Sequence, residues 1–118
     1  MILIIGGAYQ GKLDYAKSSL GVTEVHTCTG AEIDFSKHCI DQIEEFTRIH
    51  PDPVAYFMEN REKWQNCVLI CRDIFCGVVP LDAGDRAWRQ RTGRLCQYLS
   101  REAEQVSRIF CGLEQRLK

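Results

Sequence analysis

Close to Met1 the chain sets glycines and a lysine at the spacing of an anion grip, Gly6-Gly7-Ala8-Tyr9-Gln10-Gly11-Lys12, with Leu13 next. The pattern Gly-x4-Gly-Lys-[Ser/Thr] is that of a P-loop, whose backbone N–H groups cradle phosphates while its lysine reaches the β and γ phosphates. Leu13 occupies the position of the magnesium-binding hydroxyl. Magnesium takes oxygen ligands, and leucine has none to give. Gly6, Gly7, Ala8, Tyr9, Gln10, Gly11, Lys12 and Leu13 are therefore candidates for binding ATP or GTP, with any Mg2+ carried in by the nucleotide. A glycine turn that only joins strand to helix is the plainer reading of the same residues.

Other candidates lie further on. Asp73 follows the apolar run Cys67–Cys71, where α/β sheets place ligand groups, so it is a candidate for metal or phosphate contact; aspartate is also an ordinary turn residue. Arg86 and Arg89, with Arg94, could clamp phosphate oxygens through planar guanidinium groups. They read equally well as a solvated face or a subunit contact. No catalytic residue stands out: His50 precedes Pro51 and suits a helix end, and His26 and His38 have no partner visible in sequence. No metal site is expected. The series Cys67-x3-Cys71-x4-Cys76 lacks zinc spacing and a nearby histidine. Reduced thiols are the expectation for the seven cysteines, an odd number that cannot all pair, and buried structural thiols the expectation for this series.

These residues need an α/β framework to position them. Ile2–Ile5 reads as a buried parallel strand running into the glycines, and the helix from Lys12 to Leu20 ends at Gly21. A strand is expected over Val22–Cys28 and a helix over Ser36–Ile49, where Cys39, Ile40, Ile43, Phe46 and Thr47 have helical spacing. Another helix fits Pro53–Trp64, with proline in its first turn. Cys67–Cys71 is the second buried-strand signal, and Ile74–Pro80 is a loop. A long helix then runs from Asp82 or Asp85 to Gln105, burying Trp88, Leu95, Leu99 and Ala103, before strands at Val106–Cys111 and Leu113–Leu117. Alternating strands and helices predict a P-loop NTPase-like α/β fold, a mostly parallel sheet flanked by helices.

The 118 residues bound this to one domain, residues 1–118. Net charge −1 and pI near 6.3 provide no global field for nucleic acid or an anionic membrane. The opening apolar run is too short for a signal peptide or membrane span, and a cytoplasmic protein is expected.

The second half carries a resemblance. Cys76-Gly-Val-Val-Pro80, Asp85-Arg-Ala-Trp-Arg89, Gly93-Arg94-x-x-Gln97 and Cys111-Gly112-Leu113 through Leu117-Lys118, together with the glycine loop and Ala16, resemble the adenosylcobinamide kinase and adenosylcobinamide-phosphate guanylyltransferase family of cobalamin biosynthesis. The resemblance implies a P-loop α/β domain that uses a nucleoside triphosphate to phosphorylate adenosylcobinamide, then transfers GMP from GTP through a histidine intermediate. It also implies a homo-oligomer, a trimer. The chain departs from the family pattern at Leu13 and in its shorter middle. Arg72-Asp73-Ile74-Phe75 replaces an asparagine-glutamate-hydrophobic-glycine stretch, and Arg48-Ile49-His50 lacks the spacing of the family's arginine-isoleucine-x-x-histidine. The nucleophile therefore does not carry over.

Overall fold

The β-branched run at the start forms β1 (Ile2–Gly6), the inner strand on which the sheet is built. In this computed structural model, which describes residues 1–75 and 77–118, the chain continues through α1 (Lys12–Ser19), β2 (Val25–Thr27), β3 (Cys39–Asp41), α2 (Ile43–Ile49), α3 (Pro53–Glu59) and α4 (Arg61–Trp64). It then passes through β4 (Val68–Arg72), α5 (Ala83–Glu102), β5 (Gln105–Phe110) and β6 (Leu113–Arg116). Cys76, which belongs to both the cysteine series and the Gly-Val-Val-Pro stretch, lies outside the described residues.

The six strands are ordered β2-β3-β4-β1-β5-β6, parallel except for β6. Side chains alternate across the sheet and fill two cores. Leu3, Ile40, Leu69, Cys71 and Val106 meet Ile43, Phe46, Phe57, Trp64, Leu95 and Leu99 from α2 to α5. Ile4, Cys39, Ile70 and Ile109 meet Ala16 and Val22 around α1. Burial on both faces explains why β1 and β4 read as continuous apolar runs. Trp88, Leu95, Leu99 and Ala103 are buried on one side of α5 as their spacing requires. Cys67 and Cys71 sit in the same core. Burial pushes the Cys28 and Cys39 thiols up to about 12, so they stay protonated and inert.

Two helices expected from spacing are corrected. Over Ser36–Ile49 the chain forms β3, turns at Gln42 (φ 57°) and only then forms α2. Cys39, Ile40 and Asp41 are all buried and fill the gap between β2 and β4, so sheet pairing outweighs helical spacing in so short a run. The helix over Pro53–Trp64 divides at Asn60, whose Nδ2 donates to Tyr56 O at 2.8 Å and competes with the helical ladder. The strand expected over Val22–Cys28 shortens to Val25–Thr27, because Val22 N–H is spent closing α1: it donates to Ala16 O across Gly21, at φ 68°.

Candidate functional site

β1 delivers Gly6 into a turn that ends at Gly11, the residue before α1, with φ 94°. A side chain at Gly6 would place its Cβ 2.6 Å from Ile109 O, so only glycine lets this strand end lie against β5. The loop is tied down from the opposite end of the sequence. Gln10 Oε1 accepts from Cys111 N–H at 2.6 Å, and Gln10 O accepts from Gly112 N–H at 2.9 Å. Cys111 and Gly112, at φ 51° and 77°, make the tight turn between β5 and β6. Lys12 Nζ folds back over the loop and donates to Gly7 O at 2.6 Å.

In front of the loop is a cleft of about 370 Å³, lined on one side by residues 8–14 and on the other by Asp41, Gln42, Glu44, Glu45 and Arg72. Asp41 ends β3, which β4 separates from β1. A strand-end aspartate facing a P-loop is the group that holds magnesium in many nucleotide hydrolases. Burial pushes the Asp41 carboxyl above its ordinary range, against the opposing pull of Gln42 N–H, which donates to Oδ1 at 2.8 Å, and of Lys12 and Lys17. Glu44, also raised by burial, accepts from Arg72 N–H at 2.8 Å and so bonds α2 to the end of β4. Burial lowers the Lys12 pKa, and the charges of Glu44 and Asp41 counter it. The cleft therefore gathers one lysine and two acids whose charged forms are poorly solvated, a setting that a ligand of complementary charge relieves.

α2 is fixed by a buried polar cluster against α5. Trp88 Nε1 donates to Glu44 O at 2.8 Å and to Thr47 Oγ1 at 3.1 Å, while the Thr47 and Thr92 hydroxyls lie 2.6 Å apart. Arg91 Nε caps the end of α2 at Thr47 O, and the Arg48 guanidinium lies 3.8 Å over the Trp88 ring.

Ala8 to Leu13 line the cleft, but Gly6, Gly7, Asp73, Arg86 and Arg89 do not; Arg86 and Arg89 line a separate surface hollow with Val79 and Pro80. Asp73 N–H donates to Gly6 O at 2.8 Å and its Oδ1 accepts from Phe75 N–H at 3.0 Å, a turn bracing the back of the loop. Arg86 Nη1 donates to Pro80 O and Leu81 O, and Arg89 donates to Ile74 O and Val78 O, so both gather the segment joining β4 to α5. Arg94 is exposed on α5. His50 ends α2, with Nδ1 accepting from Asp52 N–H and its ring stacked on Phe46. His26 lies on β2 and His38 just before β3. None of the three histidines lines the cleft. Among the described residues no group of three or more His, Cys, Asp or Glu is arranged to hold a metal ion. No helix among the described residues is long and apolar enough to cross a membrane.

Asp41, Glu44 and Arg72 are not legible as cleft residues in the sequence: helical spacing over Ser36–Ile49 masks the strand that ends at Asp41, and nothing local marks Arg72, at the end of β4, as facing the loop. The available signal was Cys39-Ile40-Asp41, a brief apolar run closed by an acid, which is how a buried strand ends at a ligand crevice.

A mostly parallel sheet with a glycine-rich turn at the carboxyl end of an inner strand, and a buried acid at the end of β3 two strands away, defines an α/β domain with a polar cleft at its strand ends. The family described as cobinamide kinase / cobinamide phosphate guanyltransferase matches residues 34–117, and the chain belongs to it. That match begins after the glycine loop and takes in β3, β4, α5, β5 and β6. No curated protein matches the chain.

Proposed function

We propose that this cleft binds the triphosphate of ATP or GTP and that the chain serves cobalamin biosynthesis in the cytoplasm as a nucleotide-binding protein, with adenosylcobinamide as its second partner. The observation that carries this reading is the meeting of the glycine loop, Lys12 and the buried acids Asp41 and Glu44 across one cleft. Loop N–H groups and the α1 amino end receive the phosphates. Lys12 leaves Gly7 O for the β and γ oxygens.

The family implies magnesium, and the donor set fits it through Asp41 rather than through position 13. Magnesium is usually held by one or two carboxylates together with phosphate oxygens and water. Asp41 is 9% exposed, lines the cleft and uses Oδ1 for Gln42 N–H. Magnesium bound there would neutralise charge on the terminal phosphates. Leu13 also borders the cleft, but it has no oxygen to offer and is half-buried against the core that contains Ile4 and Ala16.

That commitment of Leu13 to packing, with no histidine on the cleft, favours binding without efficient group transfer. Calorimetry with ATP and with GTP, each with and without Mg2+, tests the binding; the expected result is saturable binding that Mg2+ strengthens but does not create. No heat with either nucleotide would overturn the reading. Phosphate transfer to adenosylcobinamide is expected to be slow, and rapid turnover would restore full kinase function.

Asp41→Asn separates stability from binding. The folded carboxyl has a raised pKa, so the folded state holds its proton more tightly than the unfolded chain. This stability is fully present below the unfolded pKa and is lost as pH rises through the folded one. Asparagine keeps an acceptor for Gln42 N–H without the buried charge. At neutral pH the variant should melt higher, by about 4 °C for each ~1 kcal/mol recovered, and should lose the Mg2+-dependent part of nucleotide affinity. A lower melting point with intact Mg2+ dependence would contradict the assignment.

A further inference from the structure

Tyr9 lines the cleft and is fully exposed, at 103%. Among the described residues its ring has no aromatic or cationic partner and its hydroxyl has no hydrogen bond. Its backbone is left-handed, at φ 60°, a conformation that disfavours bulky side chains and for which glycine or asparagine is the ordinary choice. Folding therefore gains nothing from an aromatic ring here, and an outlier of this kind at a cleft points to function. The tip that carries the ring is held on both sides. Gln10 accepts from Cys111 N–H and from Gly112 N–H, and Gln10 Nε2 donates to Ala8 O at 3.4 Å. A ring on so constrained a backbone has only its own two torsions to order when it binds.

The order of the strands says which end of a nucleotide comes near this ring. The glycine loop follows β1, with Asp41 and Arg72 at the ends of β3 and β4 on one side and the Cys111-Gly112 turn after β5 on the other. Mg2+ at Asp41 and the Lys12 ammonium keep the terminal phosphates beside the acids, so the sugar and base emerge toward β5. The turn closes that side of the loop: a Cβ at Gly11 would lie 3.5 Å from Gly112 Cα. The base is left to lie over the loop tip, where Tyr9 stands. We propose that Tyr9 stacks on the nucleobase of the bound nucleotide. The proposal rests on the cleft being a triphosphate site and adds to it a group that reads the other end of the ligand. Stacking uses the π-face of a base and not its hydrogen-bonding edge, so Tyr9 holds ATP and GTP alike. To the phosphates it contributes only its main chain.

Calorimetric titration of the full chain with ATP, GTP and inorganic tripolyphosphate, each with Mg2+, separates the ring from the loop. Tyr9→Asn removes the ring and suits the left-handed backbone. It should weaken ATP and GTP by about tenfold or more, while tripolyphosphate affinity stays within about twofold of wild type. Tyr9→Trp should retain the ATP affinity, and its added fluorescence should be quenched by ATP but not by tripolyphosphate. An equal loss of ATP and tripolyphosphate affinity in Tyr9→Asn would make Tyr9 a structural part of the loop, and an unchanged ATP affinity would remove its ring from binding. Either result overturns the stacking role while the cleft still receives phosphate. A wild-type chain that binds neither ATP nor tripolyphosphate overturns the triphosphate site itself, and the stacking role with it.

Discussion

Lys12→Ala is expected to weaken ATP or GTP binding by about 10- to 100-fold, because hydrogen bonds to charged partners contribute about 1.5–3 kcal/mol each. Lys12 is partly buried, and burial lowers its pKa. In the ligand-free chain its ammonium has Gly7 O at 2.6 Å as hydrogen-bond partner and the charges of Glu44 and Asp41 within reach. A triphosphate offers far more negative charge at the same place, so the lysine's gain on binding is large. The folded state should hardly notice the loss, since the substitution removes a poorly solvated cation. Titration calorimetry beside a thermal melt tests both halves. Unchanged affinity with an unchanged melt would exclude this loop as the phosphate grip.

Trp88→Ala should be the most damaging single change near the site. Truncating a buried tryptophan typically costs about 3–5 kcal/mol, which for a chain this size lowers the melting temperature by roughly 12–20 °C. Trp88 is 9% exposed, and its Nε1 is bonded to both Glu44 O and Thr47 Oγ1. Removing it leaves a cavity and deprives a buried carbonyl and hydroxyl of a donor. Because α2 carries Glu44 and follows Asp41 directly, the acid wall of the cleft should loosen as well. Trp88→Phe keeps most of the bulk and should cost only about 1–2 kcal/mol. Equal melting points for the two variants would show that packing at this position is unimportant.

What could be read in the sequence followed from local rules. The glycine spacing, the apolar run before it and the lysine at a helix start specify strand, loop and helix without help from distant residues, and they fold as expected. The stripe of α5 was legible for the same reason: its period persists over many turns. The segment from Cys39 to Asp41 was not legible. A strand that short contains too few residues to display its own period, and what makes it a strand is pairing with β2 and β4. The acid wall of the cleft was lost with it. Arg86 and Arg89 were visible as cations, but the carbonyls they gather belong to a loop whose path no local rule describes.

The hydrogen bonds from the Cys111-Gly112 turn to Gln10 link residues about a hundred positions apart in the chain. The amide protons of Cys111 and Gly112 should therefore report on the glycine loop, because both donate to Gln10 and exchange should be faster when those bonds open. A ligand that stiffens the loop should slow that exchange, and so should anything that steadies the β5–β6 hairpin from its outer side. The far end of the chain thus offers a place to listen to the site without labelling or altering any residue in it.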